Sequence, residues 1–267
     1  MKLWSDMQSV VIPFSGGMDS SVLIYKAAAS CKFDSIHTIT FDYGQRHRVE
    51  LVAAEKVFRD FAREKFYHLV CMNRVIDVKF IRDICPTSSL TNDSIATPDI
   101  RKIAGEAQPK SYVPFRNQMF LSIALAYAES LGAQEVWHGA TAVDSLAGYW
   151  DAAPEYLPQL NALCALNREH KIEVRAPLIT SDKADIVRLG VHHKVPFDRT
   201  YTCYSGEELA DATTPSSSLR IQGFIQAGYV DPAIYKQQKY VGKMFKEKAC
   251  NLIEYIDYPQ AVLDSLV

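Results

Sequence analysis

The chain predicts an α/β fold, a doubly wound parallel sheet with helices on both faces, and three observations carry that expectation. Short β-branched runs alternate with helix-periodic runs along the 267 residues, the pattern of repeated strand–helix units. The first unit runs from Val10-Val11-Ile12 through Ser15-Gly16-Gly17-Met18-Asp19-Ser20 into Val22-Leu23-Ile24-Tyr25. That strand, glycine turn and helix open a Rossmann-like sheet. Hydrophobic residues make up 48% of the chain and charged residues 22%, enough apolar material for a large core, with no run long enough to cross a membrane.

The elements follow in order. Val10–Phe14 is the first strand, and Pro13 near its end lacks a ladder donor, so pairing stops there. Met18–Ser30 is a helix. Ser35–Phe41 is a β-rich second strand ending at Asp42-Tyr43-Gly44. Arg48–Lys65 reads as a helix and Tyr67–Met72 as a third strand. Residues 84–112 are polar and aperiodic, a long loop of the kind that serves as a lid. Asn117–Leu131 is a strongly apolar helix and Glu135–Gly139 a strand. Asp151–Asn167 and Lys183–Leu189 read as helices and 202–220 as irregular. Residues 232–267 read as one or two amphipathic helices packed on the domain. In such a sheet ligands bind beyond the carboxyl ends of the strands. The Ser15–Ser20 turn, Asp42–His47, the segment after Gly139 and the stretch from Pro177 to Lys183 are therefore expected to converge.

The glycine turn carries the chemistry. A helix start offers unpaired backbone N–H groups and partial positive charge, which together bind phosphate. Gly16 and Gly17 allow close backbone approach, and Ser15 and Ser20 add hydroxyl donors. No Gly-Lys-Ser/Thr follows, so the turn is not a kinase-type phosphate loop. It resembles the pyrophosphate loop (PP-loop) of the ATP pyrophosphatases, which cleave ATP to AMP and pyrophosphate.

Composition narrows the class. The formal net charge of −2 carries no electrostatic footprint for direct nucleic-acid binding, although Arg46, His47 and Arg48 cluster. The six cysteines show no C-x-x-C spacing, and the start Met-Lys-Leu-Trp-Ser-Asp lacks the apolar core of a signal peptide. A reducing cytoplasm is the expected compartment. The apolar helix at 117–131 and the C-terminal helices are open to two readings, burial in a monomer or contact in a homodimer.

Four further stretches extend the resemblance: Thr40-Phe41-Asp42-Tyr43-Gly44-Gln45-Arg46-His47; Tyr112-Val113-Pro114-Phe115-Arg116-Asn117; Asp144 through Gly148-Tyr149-Trp150-Asp151 to Pro154-Glu155-Tyr156; and Pro177-Leu178-Ile179 leading to Lys183-Ala184-Asp185. Together with the glycine turn, residues 9–235 resemble the 7-cyano-7-deazaguanine synthase family of the queuosine and deazapurine pathways. The resemblance implies residues 1–200 as a PP-loop ATP pyrophosphatase domain of the adenine-nucleotide alpha hydrolase type, with 201–267 as an extension packed on it. It implies an ATP-dependent C–N ligase using Mg²⁺. The carboxylate of 7-carboxy-7-deazaguanine is adenylated, ammonia gives the amide, and a second ATP gives the nitrile.

Carried over by position, Ser15, Gly16, Gly17, Met18 and Ser20 form the pyrophosphate cradle. Asp19 orients the loop or meets Mg²⁺, and Lys183 lies near the phosphates. Arg116 and Asn117 lie beside the site, with Arg suited to bidentate anion contact. Asp42, Gln45, Arg46 and Gly139 fall on the nucleotide side. His47 is either a proton carrier or simply a loop histidine. Asp144, Tyr149, Asp151 and Glu155 fall on the substrate side, where carboxylates can accept from a guanine-like edge.

Two departures stand out. The family carries a zinc site of one cysteine followed by a C-x-x-C-x-x-C cluster. Here Cys203 remains, while Asp211-Ala212-Thr213-Thr214-Pro215-Ser216-Ser217-Ser218 holds no cysteine or histidine. Four S or N ligands are needed for a structural site, so no zinc is expected, and Cys203 is an idle buried thiol or keeps a chemical role. The family's Asp-Cys-Arg-Pro-Glu-Phe is here Asp151-Ala152-Ala153-Pro154-Glu155-Tyr156, so the acyl group meets a different wall. That difference admits a paralogue that stops at the amide or joins the deazaguanine to a protein or peptide amine in anti-phage defence. A tRNA thiolase fits the neutral charge and unpaired cysteines poorly. A decayed nucleotide-binding scaffold fits the intact turn poorly.

Overall fold

The computed structural model describes residues 7–45, 48–63, 69–92, 94–95, 110–203, 207–248, 260 and 264–265. Its centre is a five-stranded parallel sheet in the order β3-β2-β1-β4-β5, with β1 Ser9–Pro13, β2 Ser35–Asp42, β3 Val70–Asp77, β4 Glu135–Trp137 and β5 Glu173–Arg175. The helices are α1 Met18–Ala29, α2 Val49–Arg63, α3 Phe80–Ile84, α4 Arg116–Leu131, α5 Ala142–Leu146, α6 Tyr156–Cys164, α7 Lys183–His192, α8 Pro215–Ala227 and α9 Gln238–Lys248.

Successive β1 residues point to opposite faces, and each face has its own core. Val10 and Ile12 pack with Val22 and Leu23 of α1, Val57 and Phe61 of α2, Ile186 and Val187 of α7, Ile221 and Phe224 of α8, and Val241 and Phe245 of α9. Val11 packs on the other face with Ile81 of α3, Leu121 and Ala124 of α4, and Leu160 of α6. This is the doubly wound arrangement expected from the sequence. The order reverses between β1 and β4, which opens a crevice at their carboxyl ends.

Several elements differ from the sequence expectation, each for a local reason. The expected 151–167 helix is split: a single 3₁₀ turn covers Trp150–Ala152, and α6 starts at Tyr156. Pro154 disfavours helical backbone at Ala153, which is extended (φ −71°, ψ 147°). The irregular 202–220 contains the start of α8. Thr214 accepts from the Ser217 amide and Pro215 occupies the first turn, a strong start signal that the serine run obscures. The third strand is Val70–Asp77, further along than expected, because as an edge strand it tolerates exposed polar residues such as Arg74. β5 and α3 lacked a sequence signal long enough to stand out. Within 84–112, Ser88 and Ser89 are buried and Thr91 Oγ1 donates to the Cys85 carbonyl at 2.5 Å, so this part is packed structure. Residues 96–109, the centre of the expected lid, lie outside the described residues.

α8 is tied to the segment after it by a buried ion pair and to the segment before it by hydrogen bonds. Arg220, 1% exposed, donates through Nε to Asp231 Oδ2 (2.7 Å) and through Nη2 to Asp231 Oδ1 (2.8 Å). It also reaches the Phe197 carbonyl (2.8 Å) and Thr200 Oγ1 (2.7 Å). Among the described residues no helix is long and apolar enough to cross a membrane.

Candidate active site

The site starts at the turn between β1 and α1. Gly16 has φ +75°, and a Cβ there would lie 2.4 Å from the Ala54 amide nitrogen of α2, so both backbone conformation and helix approach demand glycine. The Gly17 amide donates to Ser15 Oγ (3.2 Å), which lies 3.1 Å from Ser20 Oγ. The Met18 amide donates to Thr202 Oγ1 (3.1 Å). The first amides of α1 therefore meet hydroxyls at the cleft floor, a polar helix start beside which phosphate oxygens can bind.

Lys183, the first residue of α7, donates to Asp19 Oδ2 at 2.7 Å. Burial pulls the Lys183 ammonium down, but the carboxylates of Asp19 and Asp144 outweigh it and hold its pKa above the ordinary lysine value. Its position is set by close packing, since a Cβ on Gly223 of α8 would lie 2.7 Å from Lys183 Cβ. Asp19 Oδ1 is buried with no hydrogen-bond partner. An orphan carboxylate oxygen beside a phosphate-type turn suits a hard cation such as Mg²⁺.

The opposite wall begins at α4. Phe115, just before it, adopts left-handed backbone (φ 54°), a strain typical of sites that must aim a neighbour. That neighbour, Arg116, lies over the rings of Tyr43 (5.6 Å) and Phe120 (5.9 Å) and donates through Nη2 to Asn117 Oδ1 at 3.2 Å. The Asn117 side chain and the His138 ring lie beside Asp151 and bear on its charge. Burial drives Asp151 above the usual carboxylate range against His138, Arg116 and Asn117, and burial lowers His138 against Asp151 and Asp144. Both His138 Nε2 and Asp151 Oδ1 are buried without a hydrogen-bond partner. Such orphans cost about 1–3 kcal/mol each unless a ligand completes them.

Of the sequence-selected residues, Ser15, Gly17, Met18, Asp19, Ser20, Gln45, Arg116, Asn117, Gly139, Asp144 and Tyr149 line one cleft. Gly16 lies behind the turn, and Lys183 joins through Asp19. Gln45 is buried and spends its amide inside its own turn, accepting from the Tyr43 amide (2.9 Å) and donating to the Phe41 carbonyl (3.2 Å). Asp42 lies outside the cleft lining, accepting from the Gly44 amide (3.1 Å) and pairing with Lys79 (3.1 Å). Asp144 lines the cleft but also closes the capping box of α5 through Thr141. Asp151 is buried behind the wall, and Glu155 is exposed before α6, outside the cleft. Arg46 and His47 lie outside the described residues.

Sequence reasoning missed Glu50, His138, Tyr201 and Thr202, all of which line the cleft. Burial pushes Glu50 up to about 7, with Arg116 opposing. His138 directly follows β4, so its place at a strand end was the available signal.

Comparison with known proteins points to one family. The family model described as "Queuosine biosynthesis protein QueC" matches residues 9–228. The chain is 41% identical to the 7-cyano-7-deazaguanine synthase of Thermoplasma volcanium over 234 residues, covering 86% of this chain and 92% of that protein. It is 38% identical to the 7-cyano-7-deazaguanine synthase of Hydrogenovibrio crunogenus, covering 86% of this chain and 97% of that protein. Among solved structures, NMN synthetase from Francisella tularensis is similar at 14% identity and TM-score 0.48, over 80% of this chain and 76% of that one. With a phosphate-type turn, its ion-paired lysine and a family match spanning the whole sheet, the chain belongs to the QueC family of queuosine biosynthesis proteins.

Proposed function

We propose that the protein is an ATP-dependent ligase that adenylates 7-carboxy-7-deazaguanine on its carboxylate and passes the acyl group to ammonia. The amide forms first, and a second ATP converts it to 7-cyano-7-deazaguanine. One observation carries this reading. The Lys183–Asp19 pair with the orphan Asp19 Oδ1 faces, across one cleft, Arg116, Asn117 and His138, with Asp151 buried behind them. The first set suits phosphates and Mg²⁺, and the second suits a polar heterocycle.

The chemistry needs both halves. A carboxylate at neutral pH is a poor acyl donor, and adenylation supplies a leaving group. Ser15, Gly17, Met18, Ser20 and Lys183 would hold the phosphates and stabilise the charge that develops on pyrophosphate. Holding both reactants in line contributes up to about 7–11 kcal/mol in favourable cases. Arg116 would hold the substrate carboxylate, and Asp144 and Tyr149, backed by the buried Asp151, the guanine-like edge. Residues 1–200 would carry most of this machinery as one domain, and 201–267 would be an extension that adds Tyr201 and Thr202 to the cleft.

A second reading rests on Ala152, which is buried in the cleft wall where the resemblance places a larger residue. In it the acyl group stops at the amide or passes to a protein or peptide amine. Quantifying AMP with and without 7-carboxy-7-deazaguanine tests adenylation. AMP release that depends on that acid and is lost in Asp19→Ala supports the proposal. Release indifferent to the acid refutes it.

A further inference from the structure

The zinc set implied by the family does not fit this chain. At the cluster's i, i+3, i+6 spacing stand Asp211, Thr214 and Ser217, and the structure brings the first two to Cys203 and Ser217 to Thr214. The Asp211 amide donates to Cys203 Sγ (3.2 Å), and Thr214 Oγ1 lies 3.5 Å from that sulfur. Thr214 Oγ1 donates to Ser217 Oγ (3.0 Å), which donates onward to the Thr202 carbonyl (3.2 Å). The Asp211 carboxylate is turned to other partners, accepting through Oδ1 from the Thr213 amide (2.9 Å), the Thr213 hydroxyl (2.6 Å) and Gln237 Nε2 (3.2 Å). Cys203 and Ser217 are fully buried and Thr214 nearly so. Zinc takes thiolate, imidazole or carboxylate; neutral hydroxyls already bonded to one another offer it one sulfur.

The chain of bonds ends at the cleft. Thr202 Oγ1 accepts from the Met18 amide at 3.1 Å and faces Arg220 Nη1 at 3.5 Å. Next to it, the Tyr201 amide donates to the Gly16 carbonyl (3.1 Å). A hydroxyl has two lone pairs and one proton. With donors on both lone pairs, the Thr202 proton is left to donate, and Thr202 lines the cleft. It finds no acceptor among the described residues.

We propose that Thr202 is an ATP-phosphate contact, its hydroxyl aimed at the glycine turn by a metal-free Cys203–Thr214–Ser217 clamp. The clamp stands where the family's zinc would stand, and it fastens the start of α8 to the wall of the ATP site. This rests on the reading of the cleft as an ATP site. Thr202 itself touches the nucleotide, whereas Thr214 and Ser217 are positioning residues.

The test measures Mg-ATP affinity by calorimetry on the full chain, together with zinc content and melting temperature. Wild-type protein that fails to bind Mg-ATP overturns the ATP reading itself. Given wild-type binding, Thr202→Val is expected to weaken it at least tenfold and Thr202→Ser less than threefold. Equal affinity for wild type and Thr202→Val overturns the contact. Should Thr202→Val not fold, Ser217→Ala decides: it keeps the Thr202 hydroxyl but frees its carbonyl. Weakening of at least threefold supports the clamp, and unchanged affinity overturns it. The clamp also predicts less than 0.1 equivalent of zinc and a melting temperature indifferent to a chelator. Stoichiometric zinc, or a chelator-induced fall of more than about 5 °C, overturns the metal-free assignment.

Discussion

Lys183 and Asp19 stand 164 residues apart in the chain and meet at 2.7 Å on the floor of the cleft. The pair joins the start of α1 to the start of α7, and Gly223 of α8 locks it from behind. Removing the cation leaves a mostly buried carboxylate alone and withdraws the charge that would meet a departing pyrophosphate. Lys183→Met is therefore expected to lower kcat for AMP release by at least about 100-fold while costing about 2 kcal/mol of stability. Steady-state kinetics beside urea unfolding measures both, and a kcat within threefold of wild type contradicts the assignment.

Arg116 combines stacking on Tyr43 and Phe120 with a guanidinium edge bonded to Asn117. Lysine keeps the charge but loses the planar fork. Arg116→Lys is expected to raise KM for 7-carboxy-7-deazaguanine about tenfold or more, with KM for ATP within threefold. Initial-rate kinetics with each substrate varied in turn checks the split. A rise confined to ATP would place Arg116 on the phosphates instead.

Glu50 sits in the first turn of α2 against the cleft, and burial raises it from 4.5 to about 7. Its folded state holds a proton that the unfolded chain releases. Its contribution to stability is therefore full below pH 4.5 and is lost as pH rises through 7. Glu50→Gln is expected to be more stable than wild type by about 1–3 kcal/mol at pH 8 and nearly level with it at pH 4.5. Denaturant unfolding at the two pH values measures the difference, and a gap that does not grow with pH contradicts it.

His138 behaves in the opposite sense. Burial lowers its pKa below 6.5, although Asp151 and Asp144 oppose the shift. The unfolded chain takes up a proton near pH 6.5 that the folded ring resists. Stability tied to His138 is present above 6.5 and is lost as pH falls. His37 and His193 are lowered by burial as well, so the difference between wild type and His138→Gln isolates one ring. That difference is expected to move in favour of the variant between pH 7 and 5 in thermal melts, and no movement would show the ring freely protonated.

Much of the site was legible where one short stretch holds a whole device. Ser15–Ser20 is strand end, turn and helix start at once, and the structure keeps it so. Lys183 was legible from its motif, but its partner was not, because Asp19 lies 164 residues away. Asp42 and Gln45 followed a strand as cleft residues do, yet both are consumed by the tight turn at Gly44. Glu155 was drawn in by its neighbour Asp151, but Pro154 breaks the segment and turns Glu155 to solvent. His138 offered only its place at a strand end and Thr202 no signal alone, since their roles arise from which strand ends and helix starts pack together.

The measurement that tests the account most directly is mass spectrometry of the products from purified protein, 7-carboxy-7-deazaguanine, Mg-ATP and ammonium. The account predicts consumption of the acid with AMP formed and the mass of the amide, followed by that of the nitrile. Recovery of the acid unchanged, with no AMP and no nitrogen added, would contradict it.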